Sequence, residues 1–383
     1  KFRAMMKRTT ATFTLLPIWF LLVLLACNLT EQPAPPTLVP RATSTPPATI
    51  GYATLAPDEF PTQVAPGIVQ PDASILTLLQ QVDVDRMFET IDSLVAMRTR
   101  RVNSFSGSKI EGIDAAAAYV LNQFNRIREQ SYQNSFSVAT HEFEINWDNT
   151  RSTGKNIIGI LSGTQVNGGV IVLVAHYDSI SYNFDDSSAF APGANDNASG
   201  MAALLEIARI MSQRRHRATV MFIAFSAEEI QRQGSKAFVE DYLTANNIQV
   251  SAVLNMDDVG SSTSPEGAIN DDEIRIFSAE PNESSSRQLA RSLNLIAARL
   301  APEMKVVVQD TVDRPGRYGD HMSFSEEGYP AVRFTEALED FSRQHSDRDT
   351  TDGIRASYLV NATKTILACM TALADGPPPP QNI

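Results

Sequence analysis

Apolar residues recur at helical spacing over residues 75–97 and again over 112–127, whereas 138–145 alternates and 156–161 runs apolar over a short length. The first two patterns predict amphipathic helices and the last two predict strands. An uninterrupted apolar run from Val170 to Ala175, and a second one ahead of Glu228, have the character of strands buried on both faces. Residues 198–213, between them, read as a helix. Further on, the pattern predicts a helix from about Ser235, strands within 251–260 and 273–279, and a long helix from Ser284 to Leu300. Strands within 305–310 and 330–336 and a closing helix from Asp352 to Ala374 follow. Strands alternating with helices predict an α/β fold, a three-layer sandwich with a mostly parallel mixed sheet and helices on both faces. In such sheets ligands bind beyond the carboxyl ends of the strands.

Those ends carry the chain's chemistry. The first buried run closes on His176 and Asp178, and the second on Glu228 and Glu229. Residues 251–260 include Asp257 and Asp258, and 330–336 lead into a loop with His345, Asp347 and Asp349. The segment Ala191–Gly200, between the first run and its helix, sets Asp196 between Asn195 and Asn197. Each feature alone has a plain structural reading. Gly, Pro, Asn and Asp form turns, Ser199 could cap a helix, an acidic pair is often solvated, and a histidine at a strand end is often hydrogen-bonded structure. Together they are harder to explain so, because converging carboxylates repel unless positive charge compensates them. Two histidines with three carboxylates are a donor set that zinc accepts.

In this order, His-x-Asp, Asp196 in its Asn-rich loop, Glu228-Glu229, Asp257 and His345, the chain resembles the M28 family of zinc aminopeptidases over about residues 73–375. The resemblance implies a zinc-exopeptidase-like fold and two Zn2+ ions bridged by Asp196. His176 and Asp257 would complete the ligands of one ion, Glu229 and His345 those of the other. It further implies a metal-bound hydroxide as nucleophile, Glu228 as general base, Asp178 as the group that orients His176, and a cis peptide after Asp196. The implied reaction is release of N-terminal amino acids from a peptide substrate; cobalt or manganese accept similar ligands. A one-zinc glutaminyl-cyclase-like acyltransferase and an inactive homologue serving as a binding module are the alternatives. One departure is visible: residues 228–235 read EEIQRQGS, where family members commonly have EEqGL. Asp258 replaces an apolar family residue. Asp320 is expected as a helix cap or accessory group, Asp349 as a support for the His345 loop, and His141 and His216 as surface residues.

The remaining features place the domain. Lys1, Arg3, Lys7 and Arg8 precede an apolar run of 16 residues that ends at Cys27. This resembles a bacterial lipoprotein signal, residues 1–27, with lipidation at Cys27; an uncleaved anchor is the other reading. Either implies export to the cell envelope, with membrane contact only through the lipid or N-terminal anchor. Residues 28–72 are rich in Pro and Thr, with ten of the 21 prolines between Pro33 and Pro71, and read as a disordered tether. Residues 376–383 read as a tail. A net charge of −12 leaves no basic surplus for nucleic acid. Cys369, in an apolar helical pattern, is expected in the core. Oligomeric state leaves no trace in the sequence.

Overall fold

The computed structural model describes residues 73–376 except 106, 148 and 149. The expected signal segment with Cys27, the tether and the tail beyond Gly376 lie outside the described residues. The pattern over 75–97 resolves into two helices, α1 (Ala73–Leu79) and α2 (Val84–Val95). The break falls at Asp83, whose side chain accepts from the backbone N–H groups of Asp85 (3.0 Å) and Arg86 (3.4 Å) and so caps α2. Helix α3 spans Gly112–Gln130.

Two long strands follow, β1 (Phe136–Trp147) and β2 (Thr150–Leu161), then β3 (Val170–His176) and α4 (Gly200–Met211). Strand β4 (Thr219–Phe225) leads to the short α5 (Gln233–Ala237), which continues as a wider turn over Phe238–Thr244. Then come β5 (Val250–Met256), β6 (Glu273–Ser278), α6 (Ser285–Leu300) and β7 (Lys305–Val308). The chain closes with α7 (His321–Glu326), β8 (Ala331–Glu336) and α8 (Ala356–Asp375). Among the described residues no helix is long and apolar enough to cross a membrane.

The eight strands form one mixed sheet in the order β1-β2-β4-β3-β5-β8-β6-β7. Its centre, β4-β3-β5-β8, is wholly parallel, while β1-β2, β2-β4 and β8-β6 pair antiparallel. Alternate residues of β3 explain the layers. Ile171, Leu173 and Ala175 join the core formed with helices α1–α4, α6 and α8, whereas Val172 and Val174 pack with Phe238, Leu243 and Phe324 on the other face. Both sets are buried, which is why no polar position interrupts the run. The expected three-layer sandwich is therefore present, its two helical layers unequal. Cys369 is buried in the larger core, and burial pushes its thiol up to about 12.

Leu204, on α4, is fully buried between helix and sheet, whereas Leu295 on α6 is 73% exposed. Leu204→Ala is expected to lower unfolding free energy by about 2–5 kcal/mol. Leu295→Ala is expected to change it by less than about 0.5 kcal/mol. Urea denaturation of both variants checks the assignment of this layer.

Candidate metal centre

The parallel centre of the sheet brings the expected residues together. His176 is the last residue of β3, Asp257 follows β5 directly, Glu228 and Glu229 follow β4, and His345 lies in the loop after β8. Because β4, β3, β5 and β8 are neighbours pointing the same way, their carboxyl ends open onto one cleft. Asp196 enters it from the loop before α4. Two groups of donors result, His176–Asp196–Asp257 and Asp196–Glu229–His345, with Asp196 common to both.

The spacing fits zinc. His176 Nε2 lies 3.4 Å from Asp196 Oδ1 and 3.3 Å from Asp257 Oδ1. His345 Nε2 lies 3.0 Å from both Asp196 Oδ2 and Glu229 Oε2. Donors held at roughly 2.0–2.1 Å around one tetrahedral zinc stand about 3.3 Å apart; the histidine-to-carboxylate edges of each group come close to that spacing, and all donor atoms of a group lie within 4.8 Å of one another. Asp196 directs a different carboxylate oxygen to each group.

The loop that carries Asp196 is held at nearly every polar atom. Asn195 N–H and Asp196 N–H donate to the two carboxylate oxygens of Asp349, at 2.9 and 3.0 Å. Asn195 Nδ2 donates to Glu336 Oε2 (2.8 Å), and its Oδ1 accepts from Gly260 N–H (2.9 Å). Asn197 Nδ2 donates to the Met256 carbonyl (2.9 Å). The expected capping role of Ser199 falls instead to Asn197, whose Oδ1 accepts from Gly200 N–H at 3.0 Å; Ser199 Oγ is occupied with Asn195 O and Val259 N–H. The Asp196-Asn197 peptide is cis, as the resemblance implied. Gly193 has φ 53°, and a Cβ there would lie 2.4 Å from the Asp196 carbonyl.

Beneath this loop lies Arg100, completely buried. Its Nε donates to Tyr177 O (2.7 Å), its Nη2 to Gly193 O (2.9 Å), and its Nη1 to Leu94 O (3.3 Å) and to Pro192 O. One guanidinium thus ties the end of β3 to the Asp196 loop and to α2. Burial lowers its pKa to about 10, against the pull of Asp349, Asp178 and Asp196. No periodicity marks Arg100 in the sequence. Arg333 could have been found, since it is a cation inside an apolar strand pattern. It is buried, with Nη2 3.0 Å from Asp257 Oδ2 and Nη1 3.1 Å from Asp313 Oδ2.

The two glutamates differ in setting. Glu229 faces His345, whereas Glu228 Oε2 stands 4.0 Å from His176 Nε2 and joins neither donor group. Burial raises the Glu228 carboxyl well above its usual range; His176 opposes this, and Asp257, Asp320 and Glu229 reinforce it. Asp178 sits beside His176, its Oδ1 3.5 Å from Nδ1, but that ring nitrogen is nearer the Asp178 backbone oxygen, at 3.2 Å. The Asp178 carboxylate also accepts from the N–H groups of Glu228 and Glu229, each at 3.2 Å. It therefore holds the segment that follows β4, while the imidazole lies against both the carboxylate and the backbone oxygen of Asp178. Burial opposes protonation of His345, yet Glu229 and Asp196 raise its pKa to about 12. That charge is what the carboxylates draw in when imidazolium is the cation at hand.

Several expectations change. Asp349 holds the Asp196 loop through its side chain, rather than the His345 loop alone. Asp258 is buried and accepts from Gln344 Nε2 (2.7 Å), which also donates to Asp196 Oδ2 (3.0 Å). Asp320 precedes α7 without a side-chain cap, and burial pushes its carboxyl up to about 7. Asp347 is exposed. His216 is not at the surface: it is buried, with Nδ1 2.9 Å from Asp375 Oδ1 and Nε2 3.0 Å from Met211 O. His141 is largely covered, its ring stacked on Phe143 and edge-on to Phe238. These partners are distant in sequence or aromatic, so the polar neighbours along the chain were a poor guide.

Comparison with known proteins agrees with the geometry. Residues 156–370 match the profile of peptidase family M28. A probable zinc metalloprotease of Pyricularia oryzae is 32% identical over 377 residues, covering 88% of this chain and 73% of the relative. One from Pyrenophora tritici-repentis is 30% identical, covering 82% of this chain and 79% of the relative. The chain belongs to peptidase family M28. Among solved structures, the Legionella pneumophila LapA aminopeptidase superposes with a TM-score of 0.63 at 21% identity, covering 79% of this chain and 75% of that one. An aminopeptidase from Aneurinibacillus sp. strain AM-1 gives 0.60 at 17% identity, covering 81% and 98%. At such identities these two likenesses speak for the fold.

Arg100→Met would leave buried carbonyl groups without their donor, at about 1–3 kcal/mol for each one not rescued by water. The expected result is a loss of about 3 kcal/mol or more in urea denaturation, with weakened zinc retention because the Asp196 loop loses its tether. Unchanged stability and metal content would contradict this role.

Proposed function

We propose that the chain is a zinc-dependent exopeptidase that removes N-terminal amino acids from peptides with two metal ions. The observation that carries the reading is the pair of donor groups sharing Asp196. His176, Asp196 and Asp257 would hold one ion; Asp196, Glu229 and His345 the other. Zinc bound there supplies Lewis acidity toward a water molecule and the scissile carbonyl.

The chain's own groups do the rest. Glu228 takes a proton from the attacking water at its carboxylate and passes it to the departing amine nitrogen. Its sheltered position suits that task, since burial raises its proton affinity. Asp178 keeps the Glu228 and Glu229 backbones and the His176 ring in register, so base and ligands stay at fixed separations. Arg333 balances Asp257, leaving that carboxylate ionised. The free-amine specificity draws support from the structural neighbours, which are named aminopeptidases. A second complete donor group weighs against a one-zinc glutaminyl-cyclase-like acyltransferase, and the presence of every ligand weighs against an inactive homologue.

A mixed peptide pool, half with free and half with acetylated N-termini, tests this by mass spectrometry. The zinc-supplied protein is expected to shorten only the free peptides, one residue at a time. A chelator is expected to stop the reaction, and Glu228→Gln to slow it by about 10²–10⁴-fold. Equal cleavage of acetylated peptides would contradict the N-terminal specificity, and no cleavage of either pool would contradict the peptidase reading.

A further inference from the structure

The cleft above the donor groups has an acidic floor and a basic wall. Arg232, Lys236, Arg314, Arg317 and Arg333 all line it, in a chain whose net charge is −12. Two of the five are committed to neighbours. Arg333 is held by Asp257 and Asp313, and Arg314 faces Asp313 and Glu339. The other three are less engaged with carboxylates. Arg232 pairs with Glu326 through Nη2 at 3.2 Å, but its buried Nη1 has no hydrogen-bond partner. Arg317 stacks on the Phe341 ring, 4.8 Å away, and its Nη2 donates to the neutral Gln344 amide. Lys236 is exposed on α5, and among the described residues no carboxylate pairs with it or with Arg317.

Local backbone puts these cations there. Gln231 and Arg232, in the segment that departs from the family pattern, take successive left-handed conformations, with φ 71° and 61°. Side chains other than glycine rarely adopt that region, and such residues gather at functional sites. The turn they make sets Arg232 and Lys236 among the residues that line the cleft with Glu229 and Arg317. A planar carboxylate is the group that a guanidinium fork fits best.

We propose that this wall recognises a carboxylate of the substrate, so that the cleft prefers acidic peptides. The proposal rests on the peptidase reading and names the substrate class of that same site. The carboxylate is either an Asp or Glu side chain flanking the scissile bond or the C-terminus of a short peptide. Arg232, Arg317 and Lys236 line the cleft as cations whose charge attracts it.

Matched short peptides test it on the zinc-supplied full chain: Glu against Gln on either side of the scissile bond, and free against amidated C-termini. The expected result is at least about a tenfold higher kcat/KM for one carboxylate-bearing form over its neutral isostere. The preference should shrink between 0.05 and 0.5 M salt, as an open electrostatic contact does. Loss on Glu-to-Gln exchange assigns the side chain as the source, and loss on amidation assigns the terminus. Lys236→Gln and Arg317→Gln, both near the surface and independent of whether Arg232→Gln folds, should each reduce the acidic-to-neutral ratio several-fold. Calorimetric binding of the same peptides to Glu228→Gln protein should show the same ranking without turnover. Equal rates for acidic and neutral peptides, with hydrolysis intact, would overturn the proposal and leave the peptidase reading standing. Tighter binding of the acidic forms with no hydrolysis of any peptide would uphold carboxylate recognition and sink the peptidase reading instead.

Discussion

Everything near the cleft answers to one constraint, the crowding of Asp196, Glu228, Glu229, Asp257 and Asp258, buried or half-buried, beyond the carboxyl ends of the neighbouring strands β3, β4 and β5. Two carboxylates about 4 Å apart repel by roughly 4 kcal/mol at an effective dielectric constant near 20. A fold that crowds them must supply cations or leave several protonated. Arg333 meets part of that need by lying against Asp257 and near Asp258, at 3.0 and 3.9 Å. The two imidazoles meet another part, Asp257 and Glu228 raising the pKa of buried His176 against its desolvation and Glu229 and Asp196 that of His345. The remainder is the electrostatic case for metal at the two donor groups.

The scaffold that imposes this crowding contributes few charges of its own to the cleft floor. Arg100 touches only backbone carbonyls there, and the two asparagines around Asp196 spend their amides on Glu336, Met256, Gly200 and Gly260. The Asn-rich loop is thus a turn in which nearly every polar side-chain atom is assigned, and the Asp196 carboxylate faces both histidines. Asp349 completes the support from 153 residues further along the chain. Rigid support of this kind is what keeps ligand atoms at coordination spacing before any ion arrives.

Much of the arrangement was legible from the chain. The apolar runs of β3 and β4 announce strands buried on both faces, and His176 and the Glu228-Glu229 pair stand out as polar residues where those runs end, whereas Asp196 and His345 lie in loops further on. The topology rule for parallel sheets then made their convergence predictable. What stayed hidden depends on contacts far apart in sequence. Arg100 carries no pattern, because its partners are carbonyls brought to it by the fold. His216 reads as a surface residue until Asp375 closes over it from the end of α8. The division of 75–97 into two helices turned on a single cap, Asp83, which an apolar period cannot register.

The cleft therefore joins an acidic floor, suited to cations, to a basic wall that continues away from it. The floor is the central claim, and counting metal tests it most directly. Zinc bound per chain, measured by elemental analysis after equilibrium dialysis, should be two for the wild type. It should fall to one with Asp257→Ala, and to below one with Asp196→Ala, since that substitution removes a donor from both groups. One ion per wild-type chain, or two retained by Asp196→Ala, would contradict the account.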